Sequence, residues 1–530
     1  MIATLIQEAD PAAISYALLL FLIQFLVYRA QQSKSKSNNH SKESHLEPDG
    51  VTLPPTIPSK LPLIGHVINY VRDGQEYFSS LCRSTPSPVF TINMANIKVS
   101  IVQPELRQHL PKIRNLKFYP LVPTIFRRAL DFGEHSCAVL NEDFKESHGF
   151  GPQIARIFRE EFIPNRNLRR YIEQLDGHIH DEFSKLVPQH GGINKIRVEE
   201  WVFTTVVGAL GKVLWGENSK TTSPFSNPEF LRHLKIMLQN LRTLSSPVEL
   251  VIDRKLLESR RFVRQELERS ASNTEYPADS LLGRLRLACD NHGAAAEDWT
   301  DFQLLLLAGA LPNIVGVLTW TVHHLLADHD WKTGLREEIN AFVDEQAGEI
   351  DLAEIPTRCP KLSATWNEVL RYHSGFSIAR YVQEDTTIAN RWLLKKGTNL
   401  IAPVRPHHVD KHVWGDDVDE FRPQRFLKTD GSLDEKERRK MKMFGLFGVM
   451  CPGRFLAANI AMSFTIRFLS SVNVSTLDEK PHVVPAETTD SMVGLPTPAC
   501  DPEILVERYQ RKITDIKILF HHPRQESNTY

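Results

Sequence analysis

Cysteine is scarce in this chain. There are 6 in 530 residues, widely scattered at Cys82, Cys137, Cys289, Cys359, Cys451 and Cys500. No CxxC pair occurs, and the lone CxxH, Cys289 with His292, lacks the second pair a structural zinc site needs. Such sparse usage reads as reduced thiols in a reducing compartment, and leaves one of them open to serve as a cofactor ligand. An excess of either charge is also missing. The 63 Lys and Arg against 64 Asp and Glu leave a net charge of -1 with no long basic block, so nucleic acid is not an expected partner. Tryptophan is absent before Trp201. Internal repeats and long low-complexity runs are absent from residues 60–520, which argues for one large domain. A mean hydropathy of -0.27 argues against a polytopic membrane protein and leaves room for a single anchor.

Hydrophobic (42%) and charged (24%) fractions are those of a globular chain with a sizeable core. Ala12–Tyr28 is uncharged and, at ~1.5 Å rise per residue, about long enough to cross a hydrocarbon core. Glu8 and Asp10 precede it; Arg29, Lys34 and Lys36 follow, which places the remainder in the cytosol. Neither the basic leader nor the small-x-small cleavage site of a signal peptide is evident. An interfacial helix is the other reading. Residues 30–50 form a polar tether, and four prolines between Leu53 and His66 stiffen the entry to the body. The expected organisation is a membrane anchor at 1–29, a tether and proline hinge at 30–59, and a catalytic domain at 60–530.

Helical patterning dominates the body. Trp299–Trp331 is apolar on most faces and reads as a central buried helix that Pro312 should kink. A second membrane span is the rival, but His323 and His324 interrupt the run and Asp328 and Asp330 close it. Helices are also expected over 332–343, 361–372 and 459–470, with short strands at 88–93, 97–102, 386–388 and 504–506. These strands are too few for a doubly wound sheet. The fold class expected is mainly α, one large helical domain with small peripheral sheets, preceded by one transmembrane helix.

The chemistry concentrates around Cys451, in Phe444-Gly-Leu-Phe-Gly-Val-Met-Cys451-Pro-Gly-Arg454. Gly445 and Gly448 permit close backbone approach to a flat ligand, and a helix begins at Arg454. A cysteine at a helix N-terminus has its thiolate favoured by the dipole and by free N–H groups. This stretch resembles the haem-binding signature of the cytochrome P450 superfamily, Phe-x-x-Gly-x-x-x-Cys-x-Gly. Phe444, Cys451, Gly453, Arg454 and Ala457 match their places. Phe447 stands where the family has glycine, and Val449 where it has a basic residue.

Further segments match in order. Glu368-Val-Leu-Arg371 and Phe421-Arg-Pro-Gln-Arg425-Phe426, with Trp414-Gly415 ahead of the second, resemble the family's acid-base and meander motifs. In the family the positions of Glu368, Arg371 and Arg425 form a buried charged cluster behind the haem. Arg380 resembles the arginine that pairs with a haem propionate. The family's early-helix tryptophan has no counterpart, and Arg127, Arg128 or Arg156 are the available substitutes.

On the central helix, Ala308-Gly309-Ala310-Leu311-Pro312-Asn313 departs from the family's Gly-x-(Asp/Glu)-Thr-Thr, whose acid and hydroxyl serve proton delivery. Asn313, seven residues before Trp320, is similar to the sterol 7α-hydroxylase and prostacyclin synthase branch. An asparagine can order a water but is a poor proton relay. The resemblance implies haem b bound through Cys451, with Phe444, Arg454 and Arg380 as further cofactor contacts and Gly309 and Asn313 on the catalytic side. Ser374–Ile378 and Met492–Pro498 would shape the pocket. The implied partners are O2, an apolar small-molecule substrate, the endoplasmic reticulum membrane, and an NADPH-dependent flavoprotein reductase facing Lys428, Lys436, Arg438, Arg439, Lys440 and Lys442. Asp430, Asp434, Glu435 and Glu437 interleave that patch, so it reads equally as a solvated insertion. A monooxygenase is the first reading. The alternatives are a reductase-independent isomerase or dehydratase, and a degenerate haem protein acting as a scaffold.

Overall fold

The computed structural model describes residues 51–59, 65–95, 97–118, 120–141, 149–186, 192–216, 223–245, 252–346, 348–445, 450–478, 480–488, 494–509 and 516–521. The expected anchor and most of the tether lie outside these residues, as do Leu446–Val449 in the cysteine loop and Met492–Val493. The chain divides into two compact units, one drawn from residues up to Leu121 and from Ser377–Pro406, the other from Val122–Ser245, Arg254–Phe376 and His407 onward.

The first unit is built on a five-stranded sheet in the order β1-β2-β9-β6-β3. Its strands are β1 (Val89–Met94), β2 (Ile97–Val102), β3 (Leu116–Lys117), β6 (Ser377–Val382) and β9 (Asn399–Pro403). β1 and β2 pair antiparallel, Val89 opposite Val102, whereas β2 meets β9 in parallel register, Val99 beside Asn399. Phe90, Ile92, Val99 and Ile101 point inward and pack on Tyr77, Phe78 and Leu81 of helix α2 (Gln75–Ser84), which follows α1 (Val67–Asp73). Both faces are buried over Val89–Ile92 and Val99–Val102, and the β-branched and aromatic composition of these runs is what made the strands readable. β7 (Thr386–Ile388) and β8 (Trp392–Leu394) form a separate hairpin.

The second unit is helical. Its main helices are α3 (Leu121–Leu130), α4 (Glu134–Leu140), α5 (Phe150–Phe162), α6 (Arg166–Leu186), α7 (Val198–Trp215) and α8 (Pro228–Gln239). They continue as α9 (Arg254–Asn273), α10 (Leu281–Asn291), α11 (Ala296–Ala327), α12 (His329–Glu345), α13 (Pro360–His373) and α14 (Arg454–Ser471). Small sheets lie beside them: β10 (Val472–Thr476) pairs with β11 (Glu503–Arg508), which pairs with β4 (Asn194–Arg197), and β5 (Glu349–Asp351) with β12 (Lys517–Leu519).

Helix α11 is the expected central helix with shifted ends. It starts at Ala296, where the Asp298 carboxylate accepts from the Ala295 N–H at 2.6 Å. It stops at Ala327, because the Asp328 side chain accepts from the Trp331 N–H at 2.8 Å and opens α12. Trp331 therefore belongs to the next helix. α11 is long and apolar enough to cross a membrane (mean hydropathy 1.8), yet 67% of that stretch is buried inside the protein, which makes it a core helix. Its hydrogen-bonded course continues through Pro312. Near its start, Asp298 and Asp301 receive the Ser136 hydroxyl, each at 2.5 Å, and Arg264 of α9 donates to Asp301 at 2.6 Å. Burial pushes the Asp298 carboxyl up, but hydrogen bonds from Ser136 and His135 outweigh it and hold the group below the usual carboxylate range.

Candidate active site

Two local structures frame the candidate site, both in the second unit. The cysteine loop is closed by the Cys451 N–H, which donates to the Phe444 carbonyl at 2.6 Å. Phe444 takes a left-handed φ of 62° and Gly445 one of 89°, so the chain turns sharply as it enters the loop. The Phe444 ring stacks on Trp366 of α13, with centroids 6.3 Å apart. The Cys451 side chain is exposed. Burial against its protein side raises the thiol above its ordinary value; the Gly453 and Arg454 N–H groups and the Arg454 charge oppose that rise. Arg454 in turn donates to the Cys451 carbonyl at 3.0 Å. Phe447, Gly448 and Val449, where the sequence departs from the signature, lie outside the described residues.

Behind this loop the charged residues converge as expected. Arg371 grips Glu368 through two bonds, Nε to Oε2 at 2.7 Å and Nη2 to Oε1 at 2.8 Å. Arg425 Nε and the Arg422 backbone N–H add donors to Oε1 at 3.0 and 2.7 Å. The remaining Arg371 hydrogens go to the carbonyls of His408, Val418 and Glu420. Glu368 is 0% and Arg371 1% exposed, so this is a desolvated cluster with its donors satisfied. Asp417 extends it: burial pushes its carboxyl up, but the pairing with Arg425 and Arg422 keeps it below the usual range.

The middle of α11 supplies the other wall. Gly309 and Ala310 are exposed in a helix that is otherwise largely buried, and a Cβ placed on Gly309 would meet nothing within 4 Å. Leu311, in the acid's place, is 3% exposed and packed into the core. Pro312 has no N–H for the Ala308 carbonyl, and one residue on, Asn313 Nδ2 donates to the Gly309 carbonyl at 3.3 Å. Against Asn313 lies the turn that begins at Gly494. Gly494 has φ +85°, and a Cβ there would fall 1.6 Å from Asn313 Oδ1, so glycine is the residue that fits. Leu495 packs at Gly316, Pro496 at Gly375, and the Pro496 carbonyl accepts from Trp320 Nε1 at 2.7 Å.

Arg380 is in the first unit, on inner strand β6 rather than a sheet edge, 4% exposed, with its guanidinium over the Phe118 ring at 5.7 Å. Arg127, Arg128 and Arg156 all lie on the surface of their helices, Arg127 bonded to Glu134. In the basic stretch, Lys440 pairs with Glu437 and Arg438 with Glu435, each at 2.6 Å; Lys428, Lys436 and Arg439 are exposed. Reading the sequence missed the residues that hold the 494–496 turn in place. Trp320, seven residues after Asn313, was the available signal.

These residues suit a flat iron-bearing ligand. A sulfur with two backbone donors stands at a helix start, and a glycine with open space beside it sits on an apolar helix. A profile of the cytochrome P450 family matches residues 54–501. The chain belongs to the cytochrome P450 family. As such it is an oxidoreductase of the cytochrome P450 monooxygenase class, and its cofactor is haem with a cysteine thiolate on the iron. It is 24% identical over 452 residues to a cytochrome P450 monooxygenase of Gibberella zeae, covering 81% of this chain and 82% of that protein. Cytochrome P450 monooxygenase nodJ of Hypoxylon pulicicidum is 24% identical, with 76% and 80% covered. Carnosic acid synthase of Rosmarinus officinalis is also 24% identical, with 77% and 84% covered. Among solved structures, retinoic acid-bound cyanobacterial CYP120A1 shares the fold with a TM-score of 0.64 at 20% identity, covering 87% of this chain and all of that one.

Proposed function

We propose that this protein is a membrane-anchored monooxygenase of specialised metabolism that inserts oxygen from O2 into an apolar small molecule. NADPH-derived electrons would arrive through a flavoprotein reductase. The observation that carries this reading is the closed loop presenting Cys451, with the Gly453 and Arg454 N–H groups on its sulfur. Bound through that sulfur, haem would supply the redox-active iron that activates oxygen. Cys451 would hold the iron, with Arg454 and Phe444 bracing the loop, and Arg380 would hold a haem carboxylate. Its burial on an inner strand supports a guanidinium with a fixed partner. Gly309 leaves room on the distal wall, and Asn313 orients water there through its amide. The anchor at 1–29, hinge at 30–59 and catalytic body at 60–530 complete the reading, with the body on the cytosolic face of the endoplasmic reticulum. The exposed Lys428, Lys436 and Arg439 support docking of an acidic reductase.

The test is a reduced-plus-carbon-monoxide difference spectrum of the purified protein. A thiolate-type Soret band that disappears in Cys451→Ala supports the assignment; its absence from the wild type sinks it. A second reading, a reductase-independent isomerase or dehydratase, is favoured by the buried Leu311 and by an Asn313 amide already engaged with Gly309. Product formation from an oxygenated substrate without NADPH would select it.

A further inference from the structure

Beside the candidate site the structure holds a histidine network that the reaction as proposed does not use. Residues 486–488 and 497–499 form two arms of a hairpin, joined by Thr488 N–H to the Thr497 carbonyl and Ala499 N–H to the Ala486 carbonyl, each at 2.8 Å. The far end of this hairpin carries the Gly494–Pro496 turn that abuts Asn313. On one arm Glu487 Oε1 lies 2.8 Å from His373 Nδ1, and His373 Nε2 lies 2.8 Å from His324 Nε2. Just before the hairpin, His482 Nε2 lies 3.0 Å from His323 Nδ1. His373 stacks on Trp320 at 3.9 Å between ring centroids, and His324 on Phe421 at 3.5 Å.

Donor bookkeeping gives one arrangement for the first chain with His373 neutral. An ionised Glu487 can only accept, so a neutral His373 carries its proton on Nδ1 and offers a bare Nε2. His324 must then donate from its own Nε2. Each member is held in one tautomer by the next, and Trp320, sandwiched against His373, directs its indole N–H to the Pro496 carbonyl. Burial and the neighbouring imidazoles hold His324 well below its ordinary value, which keeps that ring neutral.

We propose that the Glu487–His373–His324 chain, with His323–His482 beside it, is a mooring that sets the position of the Gly494–Pro496 turn against Asn313. By doing so it determines the size of ligand admitted beside the haem. The proposal rests on the haem-protein reading given above. These are positioning residues: all act through the turn and Trp320. Losing a hydrogen bond to a charged group corresponds to roughly 1.5–3 kcal/mol, about a ten- to hundredfold change in local opening.

The experiment uses the full-length holoprotein and the variants Glu487→Ala, Glu487→Gln and, as a control in an exposed ion pair of the same segment, Asp478→Asn. Amide hydrogen exchange at Thr488 and Ala499 reports the hairpin. Spectral titrations with imidazole and with 4-phenylimidazole report the pocket with a small and a bulky probe. Glu487→Ala is expected to speed exchange roughly tenfold or more and to weaken 4-phenylimidazole about fivefold, with imidazole affinity within about twofold. Glu487→Gln, whose carbonyl still accepts from His373, should restore most of both, and Asp478→Asn should leave both at the wild-type values. Unchanged exchange in Glu487→Ala overturns the mooring. Faster exchange with an unchanged ratio of the two azole affinities overturns its role in ligand size. Should Glu487→Ala not accumulate, His482→Ala replaces it, with the same pattern expected at smaller size. A wild type that gives no azole spectrum removes the haem reading, while the exchange measurement still decides whether Glu487 holds the hairpin.

Discussion

The charged cluster around Glu368 and the middle of α11 face the same physical problem, polar groups inside an apolar body, and meet it differently. Glu368 has four donors, two of them fixed in the Arg371 fork, and the arginines' spare hydrogens end on carbonyls. At α11 a single amide reaches one carbonyl over 3.3 Å, beside exposed Gly309 and Ala310. The cluster is over-determined, so changing any member strands a buried charge. The helix centre is lightly held, so its residues can change without unfolding the protein. On the central helix the family pattern is broken at 311–313, whereas 368, 371 and 425 keep it.

The strongest way to break this contrast is Glu368→Ala, which takes the carboxylate from the buried Arg371 guanidinium and leaves Arg425 with Asp417 alone. A loss of about 3–5 kcal/mol is expected, seen as a lower denaturant midpoint or no soluble holoprotein. Asn313→Ala, measured alongside, should stay within about 1 kcal/mol of the wild type. An equal loss from both would erase the distinction.

Next in size is Gly494→Ala. The left-handed φ and the collision with Asn313 Oδ1 should cost on the order of 1–3 kcal/mol and shift azole affinity while the carbon-monoxide band persists. Retained wild-type affinity would show that the turn does not constrain Asn313.

Acid should loosen the histidine mooring. Burial, with the neighbouring imidazoles, pushes His323 down to about 3, and burial lowers His482. A histidine depressed in the fold stays neutral there while the unfolded chain takes up a proton. Stability is therefore intact above the unfolded value of about 6.5 and falls as pH drops toward 3 for His323. The slope is at most about 1.4 kcal/mol per pH unit per histidine. The groups facing these rings are His324, His373, Glu487 and Tyr372, together with Trp320 and Phe421. Denaturant midpoints from pH 7 to pH 4 should fall less steeply in His323→Phe than in the wild type, and parallel curves would count against the mechanism.

The smallest effect belongs to the surface. Lys428→Glu with Arg439→Glu should slow electron delivery from a flavoprotein reductase about two- to fivefold at low salt and hardly at all at high salt. A salt-independent loss would point elsewhere than docking.

What could be read from the sequence follows the same division. Cys451 and the acid-base cluster were legible because each lies in a short motif and the motifs occur in order along the chain. Single strands such as β1 and β2 were legible because their β-rich composition is local. The wider sheet was not, since β9 and β6 join it from nearly 300 positions away. α11 ends at Ala327, where Asp328 closes the apolar run and caps the next helix, so Trp331 falls in α12. His323 and His324 read as interruptions in an apolar run; their partners, His482 and His373, are far away in the chain.

The parallel pairing of β2 with β9 also sets a timetable for biogenesis. Val99 to Ile101 on the ribosome's early product must wait for Asn399 to Ile401 to be made. At about 5–20 residues per second that interval is roughly 15–60 s. Throughout it β2 presents an apolar, hydrogen-bond-hungry edge to its surroundings. The sheet of the first unit therefore closes only once the chain has been made past residue 401.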